Sequence, residues 1–196
     1  MTMRFIVVDG LDGCGKDSHA IRIRQKLEER GEKVEVISHP SGRLFGRLSK
    51  RALQGSGAAH RLVATVFFTA DVLCSVHRMK RERAADTMIF VRYLLGAAYL
   101  PERLAPMGYA FFRKLLPFPD LALFIDIHPE VALRRIASRG HRTEMFETKE
   151  RLERVRRVAR ALASAEWVTV DNSEDGDAPF ATTERIVIEK FEGAER

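Results

Sequence analysis

Residues 8–20, VDGLDGCGKDSHA, place a glycine-rich loop between an apolar run and a helical pattern. The apolar run RFIVVD (residues 4–9) is rich in β-branched side chains and predicts a buried strand. Gly10 to Lys16 have the spacing G-x-x-x-x-G-K, and the helical pattern DSHAIRIRQKLEERG follows directly. In this order of strand, loop and helix, backbone N–H groups and a helix N-terminus bind phosphate. The loop therefore predicts a polyphosphate site in an α/β fold.

Nine residues of this stretch are predicted to surround the phosphates of a nucleoside triphosphate. They are Gly10, Leu11, Asp12, Gly13, Cys14, Gly15, Lys16, Asp17 and Ser18. Glycines let several N–H groups converge on phosphate oxygens, and Lys16 can span the β- and γ-phosphates. Cys14 is expected to be a reactive thiol because it lies beside a helix N-terminus. It has no expected part in catalysis, since in-line phosphoryl transfer needs no protein nucleophile.

Asp17 stands where such a loop has a serine or threonine hydroxyl that binds magnesium. Ser18 is a poor substitute, because one residue along a helix turns a side chain by about 100°. A carboxylate facing a triphosphate is repelled unless a cation lies between them. We therefore predict that Asp17 binds Mg²⁺, which accepts carboxylate oxygen and needs only one or two protein ligands. The alternative is that an acid in the first turn only stabilises the helix dipole.

Length, composition and charge narrow the class of protein. The chain has 196 residues, 45% of them hydrophobic, which suits one globular domain over residues 1–196. A net charge of +6 indicates an anionic partner without specifying its kind. Two cysteines without metal-type spacing favour a reducing, cytoplasmic location. We expect no signal peptide and no apolar run long enough to cross a membrane.

The pattern along the chain alternates between strands and helices. Four further strands are predicted at KVEVIS (33–38), TMIFVRY (87–93), DLALFIDI (120–127) and EWVTVD (166–171). Helical patterns separate them, the longest being AAHRLVATVFFTADVLCSVHRMKRER (58–83). This alternation indicates an α/β fold of the P-loop NTPase type, with a five-stranded parallel sheet flanked by helices.

Seven segments, in order, resemble the thymidylate kinases, a family of P-loop nucleoside monophosphate kinases. They are FIVVDGLDGCGKDS (5–18), HPSG (39–42), FFTAD (67–71), VRYLLGAAY (91–99), PDLALFIDIHPEVALRRIASRG (119–140), HRTEMFE (141–147) and WVTVDNS (167–173). The resemblance implies transfer of the γ-phosphoryl group of ATP to dTMP to give dTDP, with Mg²⁺ required. It also implies small nucleotide substrates, a short lid around residues 139–150 and a homodimer through long helices.

The resemblance also implies roles for individual residues. Lys16 holds the donor, Arg92 clamps the acceptor phosphate, and Asp12 lies near the acceptor sugar. Asp9 matches a position that is usually acidic and is a second candidate metal ligand. Arg142 of the lid is a candidate catalytic residue, because closure brings one or two arginines to the transferring group. The arginines that flank the predicted lid are Arg135, Arg139 and Arg142, and the sequence leaves open which of them arrives.

Three further residues are candidates for the acceptor pocket, each with a plainer alternative. Arg43 follows the HPSG turn and could reach the acceptor phosphate, or lie on the surface. Phe68 matches the phenylalanine that stacks on the base, but an aromatic residue on an apolar helix stripe is by default core. Tyr99 is equally a pocket residue or a core residue.

Two departures from the family keep other functions open. Val91 replaces an aspartate before the strand-end arginine, and we suggest that Asp17 supplies the missing charge. Val72 replaces an arginine that reads the thymine edge. The alternatives are a kinase for dUMP, dCMP or a non-nucleotide phosphate, and a nucleotide-binding protein with little or no kinase activity. A nucleic-acid partner is not expected, since RLERVRRVAR (151–160) is typical of a solvated helix face.

Overall fold

The computed structural model describes residues 3–55, 57–82, 85–138, 148–163 and 166–192. Within these ranges the chain forms five strands and seven α-helices. The strands are β1 (Arg4–Gly10), β2 (Val34–Ser38), β3 (Thr87–Val91), β4 (Leu121–Asp126) and β5 (Val168–Asp171). The helices are α1 (Lys16–Glu28), α2 (Leu44–Leu53), α3 (Ala58–Glu82), α4 (Ala105–Leu115), α5 (Pro129–Ser138), α6 (Lys149–Ala163) and α7 (Ala178–Glu192). A short 3₁₀ helix, Leu95–Tyr99, follows β3.

The strands form one parallel sheet in the order β2-β3-β1-β4-β5, which confirms the predicted fold class. Every residue of β3 and β4 is buried, as expected for central strands covered by helices on both faces. After β1 the chain adds β2 and β3 on one side of β1 within the sheet, and it later adds β4 and β5 on the other side of β1. The loop after β1 therefore lies at the point where the strand order reverses, and ligands of open α/β sheets bind at such points.

Strand β3 ends at Val91, two residues earlier than predicted. The cause is Arg92, whose φ of 61° lies in the left-handed region. This residue turns the chain out of the sheet, and the next N–H, that of Tyr93, donates to Asp9. The 3₁₀ helix that follows was not predicted, because five residues are too few to show a helical period.

The segment Leu62–Glu82 of α3 is long and apolar enough to cross a membrane by length and composition alone, contrary to our expectation for the chain. In the fold this helix packs against α2, where Ser49 Oγ donates to the Ala64 carbonyl at 3.0 Å. Its buried Asp71 accepts a hydrogen bond from the backbone of Ser41. These contacts make α3 an integral part of the domain.

The arginine-rich helix α6 is not simply a solvated face. Arg156 donates to both carboxylate oxygens of Asp126, at 2.9 and 2.8 Å, at the carboxyl end of β4. Arg154 reaches the Leu100 carbonyl. Arg156 therefore holds α6 against the sheet and Arg154 holds it against the end of the 3₁₀ helix, and both are less available to an external polyanion.

Candidate active site

The glycine loop is shaped by the elements packed behind it. Gly13 and Gly15 have φ values of 79° and 85°, which glycine adopts without strain. A Cβ atom on Gly13 would lie 2.8 Å from the Ala132 carbonyl oxygen of α5. A Cβ atom on Gly15 would lie 2.8 Å from Nδ2 of Asn172. Both positions therefore need glycine for conformation and for space.

Lys16 begins α1, and its side chain is held inside the loop. The Nζ atom donates to the Leu11 carbonyl at 2.7 Å and lies 3.6 Å from Oδ1 of Asp12. The whole residue is 2% exposed. The ammonium group is thus fixed within the glycine loop, at the N-terminus of α1. This arrangement attracts polyphosphate.

Cys14 is fully buried beneath the same loop. Burial raises the pKa of its thiol, an effect larger than the opposing influence of Lys16. A buried, protonated thiol is a poor nucleophile, so the expectation of a reactive cysteine is wrong.

Asp9 lies at the end of β1, and its carboxylate is engaged by backbone donors. Oδ1 accepts from the N–H of Gly10, and Oδ2 accepts from the N–H groups of Tyr93 and Leu95, each at 2.9 Å. Burial raises the pKa of Asp9 despite these donors. The carboxylate fixes the turn that carries Arg92 and the start of the 3₁₀ helix. Metal binding by Asp9 remains a prediction, for which these N–H contacts would have to be given up or shared.

Asp12, Arg92 and Tyr99 meet in one cluster. Arg92 Nη2 donates to Oδ1 of Asp12 at 3.1 Å, and the Tyr99 hydroxyl donates to Oδ2 at 2.8 Å. The same hydroxyl accepts from the backbone N–H of Asp12 at 3.1 Å. The left-handed backbone of Arg92 carries its side chain to the edge of the sheet, and such strained conformations are concentrated at functional sites.

These contacts fix the charges of the cluster. Burial alone would raise the pKa of Asp12, but Lys16, Arg92 and the Tyr99 hydroxyl outweigh it and lower the pKa to about 2. Burial would lower the pKa of Arg92, whereas Asp12 and Asp17 raise it overall. Burial, followed by the charge of Asp12, raises the pKa of Tyr99. At neutral pH the cluster therefore contains an anionic carboxylate, a cationic guanidinium and a neutral phenol.

Asp17 lies on the open side of the loop with its side chain 53% exposed. Ser38 Oγ donates to Oδ1 of Asp17 at 2.8 Å, and Arg92 Nη1 lies 3.9 Å from Oδ2. In the sheet Ser38 pairs with Val91, the position where the family's aspartate is missing. The Asp17 carboxylate is therefore next to the strand end that lacks an acid, a proximity that sequence alone could not show.

The turn after β2 is tied to α3 by a polar cluster. Both oxygens of Asp71 accept from Ser41, from its N–H at 2.6 Å and its hydroxyl at 2.7 Å. Arg43 Nε donates to Ser41 Oγ at 3.2 Å, and its Nη2 donates to Ser75 Oγ. His39, fully buried, also binds Ser75, at 2.7 Å. Sequence reasoning did not identify Asp71 and Ser75; their spacing of four residues within an apolar helix was the available signal.

Phe68 lies on the same helix at the border of the core. Its ring is partly buried, 6.3 Å from the His39 ring and close to Gly96 of the 3₁₀ helix. It therefore lies where α3, the turn after β2 and the 3₁₀ helix converge. Val72, one turn further along α3, is fully buried in the hydrophobic core.

Of the lid arginines, Arg139 and Arg142 lie outside the described residues. Arg135 is described, and it is bound to the segment after β5. Its Nη1 donates to the Asn172 carbonyl at 3.0 Å and its Nη2 donates to Asp175 at 2.9 Å. The candidate residues that do come together are those of the loop, which include Asp12, and the two residues that contact it, Arg92 and Tyr99.

The described residues contain no group of three or more histidine, cysteine, aspartate or glutamate side chains able to hold a metal by themselves. Mg²⁺ in phosphoryl-transfer sites takes one or two carboxylates and completes its shell with phosphate oxygens and water. An exposed Asp17 carboxylate beside a glycine cradle that a Cβ would obstruct fits that requirement.

A lysine-bearing glycine loop at the switch point of a parallel sheet defines a P-loop fold, here with a charged cluster of Asp12, Arg92 and Tyr99 at the loop. The thymidylate kinase family model matches residues 8–178, and the chain belongs to the thymidylate kinase family. It is accordingly a nucleoside monophosphate kinase and a thymidylate kinase-like phosphotransferase.

Individual relatives agree with this placement. A probable thymidylate kinase of Pyrobaculum calidifontis is 34% identical over 173 residues, which cover 85% of this chain and 86% of the relative. A thymidylate kinase of Xanthomonas oryzae pv. oryzae is 28% identical, with 93% of this chain and 82% of the relative covered. The solved thymidylate kinase structure from Candida albicans has a TM-score of 0.73, covering 97% of this chain and 92% of that one. Its sequence identity is 19%, so this similarity shows the fold alone.

Proposed function

We propose that this protein transfers the γ-phosphoryl group of ATP to dTMP, giving ADP and dTDP. The observation that carries the proposal is the proximity of Lys16 to the Asp12–Arg92–Tyr99 cluster. Asp12 touches both parts, at 3.6 Å from the lysine and 3.1 Å from the arginine. A donor phosphate on the loop and an acceptor phosphate on the arginine would therefore share one charged pocket.

On the donor side, Lys16 and the N–H groups of the loop bind the ATP phosphates. ATP with Mg²⁺ supplies the transferable phosphoryl group and part of the charge neutralisation. Asp17 would hold the metal, and Arg92 partly balances its carboxylate until the metal binds. The protein contributes position and electrostatic stabilisation and forms no covalent intermediate.

On the acceptor side, Arg92 binds the phosphate of dTMP in the fork geometry that suits a guanidinium. Asp12 and Tyr99, bound to each other, face the sugar. Phe68 stacks on the base, and Arg43 assists with the phosphate from the turn after β2. The lid with Arg142 completes the site and excludes water, as closing segments do in this chemistry.

An acceptor panel tests the proposal. ADP release is measured with ATP and Mg²⁺ and each of dTMP, dUMP, dCMP and UMP. We expect the highest kcat/KM with dTMP. Because Val72 offers no hydrogen bond to a base edge, we expect dUMP to be the best of the other acceptors. ATP binding without turnover on any acceptor, or a clear preference for dCMP, would contradict the proposal.

We also propose a cytoplasmic homodimer that binds no nucleic acid. The dimer is supported by a group of exposed apolar side chains on α2 and α3. Single apolar side chains on a surface need no explanation, whereas a group of them indicates a contact site. The group comprises Leu44, Phe45, Leu62, Val63, Val66 and Leu73, exposed by 59, 37, 67, 44, 58 and 37%. Sedimentation should give twice the monomer mass for the natural chain and the monomer mass for Leu62→Glu. A monomeric natural chain would contradict it.

A further inference from the structure

Asn172 connects the last strand to the glycine loop. It directly follows β5, is 3% exposed, and its N–H donates to the Asp126 carbonyl at 2.9 Å. Its side-chain Nδ2 donates to the Cys14 carbonyl at 2.8 Å. A carbonyl can only accept, so the amide must turn its NH₂ group toward the loop. One buried residue thus joins the end of β4, through its backbone, to the peptide before Gly15, through its side chain.

The hydrogen bond to Cys14 sets the direction of the next N–H group. In a planar trans peptide the C=O and N–H bonds point in opposite directions. When Asn172 fixes the Cys14 carbonyl toward β5, the N–H of Gly15 is directed away from β5. The N–H groups of the first residues of α1, beginning with Lys16, lack intrahelical acceptors and add to the same anion-binding surface.

Behind the amide lies a wall that restricts its movement. His19 is fully buried, packs against Phe180 in a tilted arrangement with ring centroids 4.4 Å apart, and shares a 2.9 Å hydrogen bond with Thr183. The His19 ring also borders the loop, since its Cδ2 would lie 3.9 Å from a Cβ atom on Gly15. Asn172 is therefore enclosed between this wall and the loop.

We propose that Asn172 is a positioning residue for the donor phosphates, acting through the Cys14–Gly15 peptide to orient the Gly15 N–H. This inference rests on the proposed function, in which ATP occupies the loop. Loss of the hydrogen bond would let the peptide rotate, and the loop would lose one preorganised donor. The acceptor site, which Asn172 does not touch in the described contacts, should be unaffected.

The test measures ATP, ADP and dTMP binding by calorimetry, together with steady-state KM values. Asn172→Ala should raise the Kd for ATP and ADP about tenfold, the effect of one lost hydrogen bond. The Kd for dTMP should change less than twofold. Asn172→Asp keeps the shape but places an acceptor against the Cys14 carbonyl, so it should raise the ATP Kd further. It also serves if the alanine variant folds poorly.

Ser49→Ala is the matched control. It removes a buried hydrogen bond between α2 and α3, away from the loop, because Ser49 is 1% exposed and donates to the Ala64 carbonyl. It should lower the melting temperature and leave the ATP Kd unchanged. If Asn172→Ala leaves ATP binding unchanged, or if Asn172→Ala and the control variant weaken it equally, the role of Asn172 is merely structural and the proposal fails. A natural chain that binds no ATP would instead overturn the proposed function, and this proposal with it.

Discussion

The proposed donor side and the proposed acceptor side of this site are built by different means. On the donor side the shape comes from the backbone: glycines with left-handed φ values, a helix N-terminus and the fixed Cys14 carbonyl. On the acceptor side it comes from side chains of separate elements, as in the contacts of Asp12 with Arg92 and Tyr99. A backbone site keeps its chemistry when neighbouring side chains change, except for those that orient the backbone, as we propose for Asn172, or that supply its charge, as Lys16 does. A side-chain site can change its ligand through one substitution, and the departure Val72 lies on α3, one turn from Phe68.

The largest expected effect is on the donor side. Lys16→Ala removes the cation held at the mouth of the loop, and we expect kcat/KM to fall about 10³-fold. Calorimetry should show that ATP binding weakens while dTMP binding persists. Lys26→Ala is the control, since that lysine lies in the last turn of α1 and pairs only with Glu29 in the described contacts. If a variant at Lys16 retained more than a tenth of the activity, the proposed separation of the site into a donor side and an acceptor side would be wrong.

Both sides share one feature, a buried neutral histidine. Burial lowers the pKa of His19, behind the loop, and that of His39, behind the acceptor turn, each from 6.5 to about 4. The unfolded chain therefore binds these protons first as the pH falls. The contribution of these two histidines to the free energy of unfolding should be constant above pH 6.5, fall between pH 6.5 and about 4, and level off below that. Each histidine should contribute on the order of 3 kcal/mol.

Urea denaturation at several pH values measures this loss. His19→Gln and His39→Gln should each remove about half of the slope between pH 6.5 and 4. His77→Gln, at an exposed position on α3, should leave it unchanged. Equal slopes in the natural chain and both buried-site variants would show that neither histidine is kept neutral by the fold.

On the acceptor side, Arg92→Lys keeps the charge but loses the fork that binds Asp12 and phosphate together. We expect kcat/KM for dTMP to fall about 30-fold, mainly through KM, with the ATP KM little changed. Arg157→Lys is a control at a position 65% exposed on α6. An increase confined to the ATP KM would place Arg92 on the donor side and invalidate the comparison.

The smallest expected effect concerns the border between the two sides. Asp17→Ser restores the hydroxyl usual at this position of the loop but removes the carboxylate next to Ser38. We expect the Mg²⁺ concentration for half-maximal activity to rise about tenfold, because one carboxylate ligand is lost. Asp177→Ser, at a position 87% exposed, is the control. Preserved or increased metal-dependent turnover would favour the alternative that Asp17 only stabilises the helix dipole.

The same contrast explains how far the sequence could be interpreted. The sheet and loop were predictable, because buried parallel strands are continuous apolar runs and because G-x-x-x-x-G-K constrains the backbone directly. The contacts of Asp71 with Ser41 and of Asn172 with Cys14 were not predictable. Each joins residues far apart in the chain, and their geometry depends on packing that no local pattern encodes. The early end of β3 depends in the same way on Asp9, 84 residues before the N–H that it accepts.

Because Cys14 is buried in the glycine loop, the reactivity of its thiol reports on the opening of that loop. A thiol beneath the phosphate cradle can be alkylated only when the cradle opens, so the rate of its labelling measures how often the empty loop unfolds locally. Cys74, exposed on α3, supplies an internal reference in the same molecule. ATP should slow labelling at the first cysteine and leave the second unaffected, which would follow donor binding without any turnover.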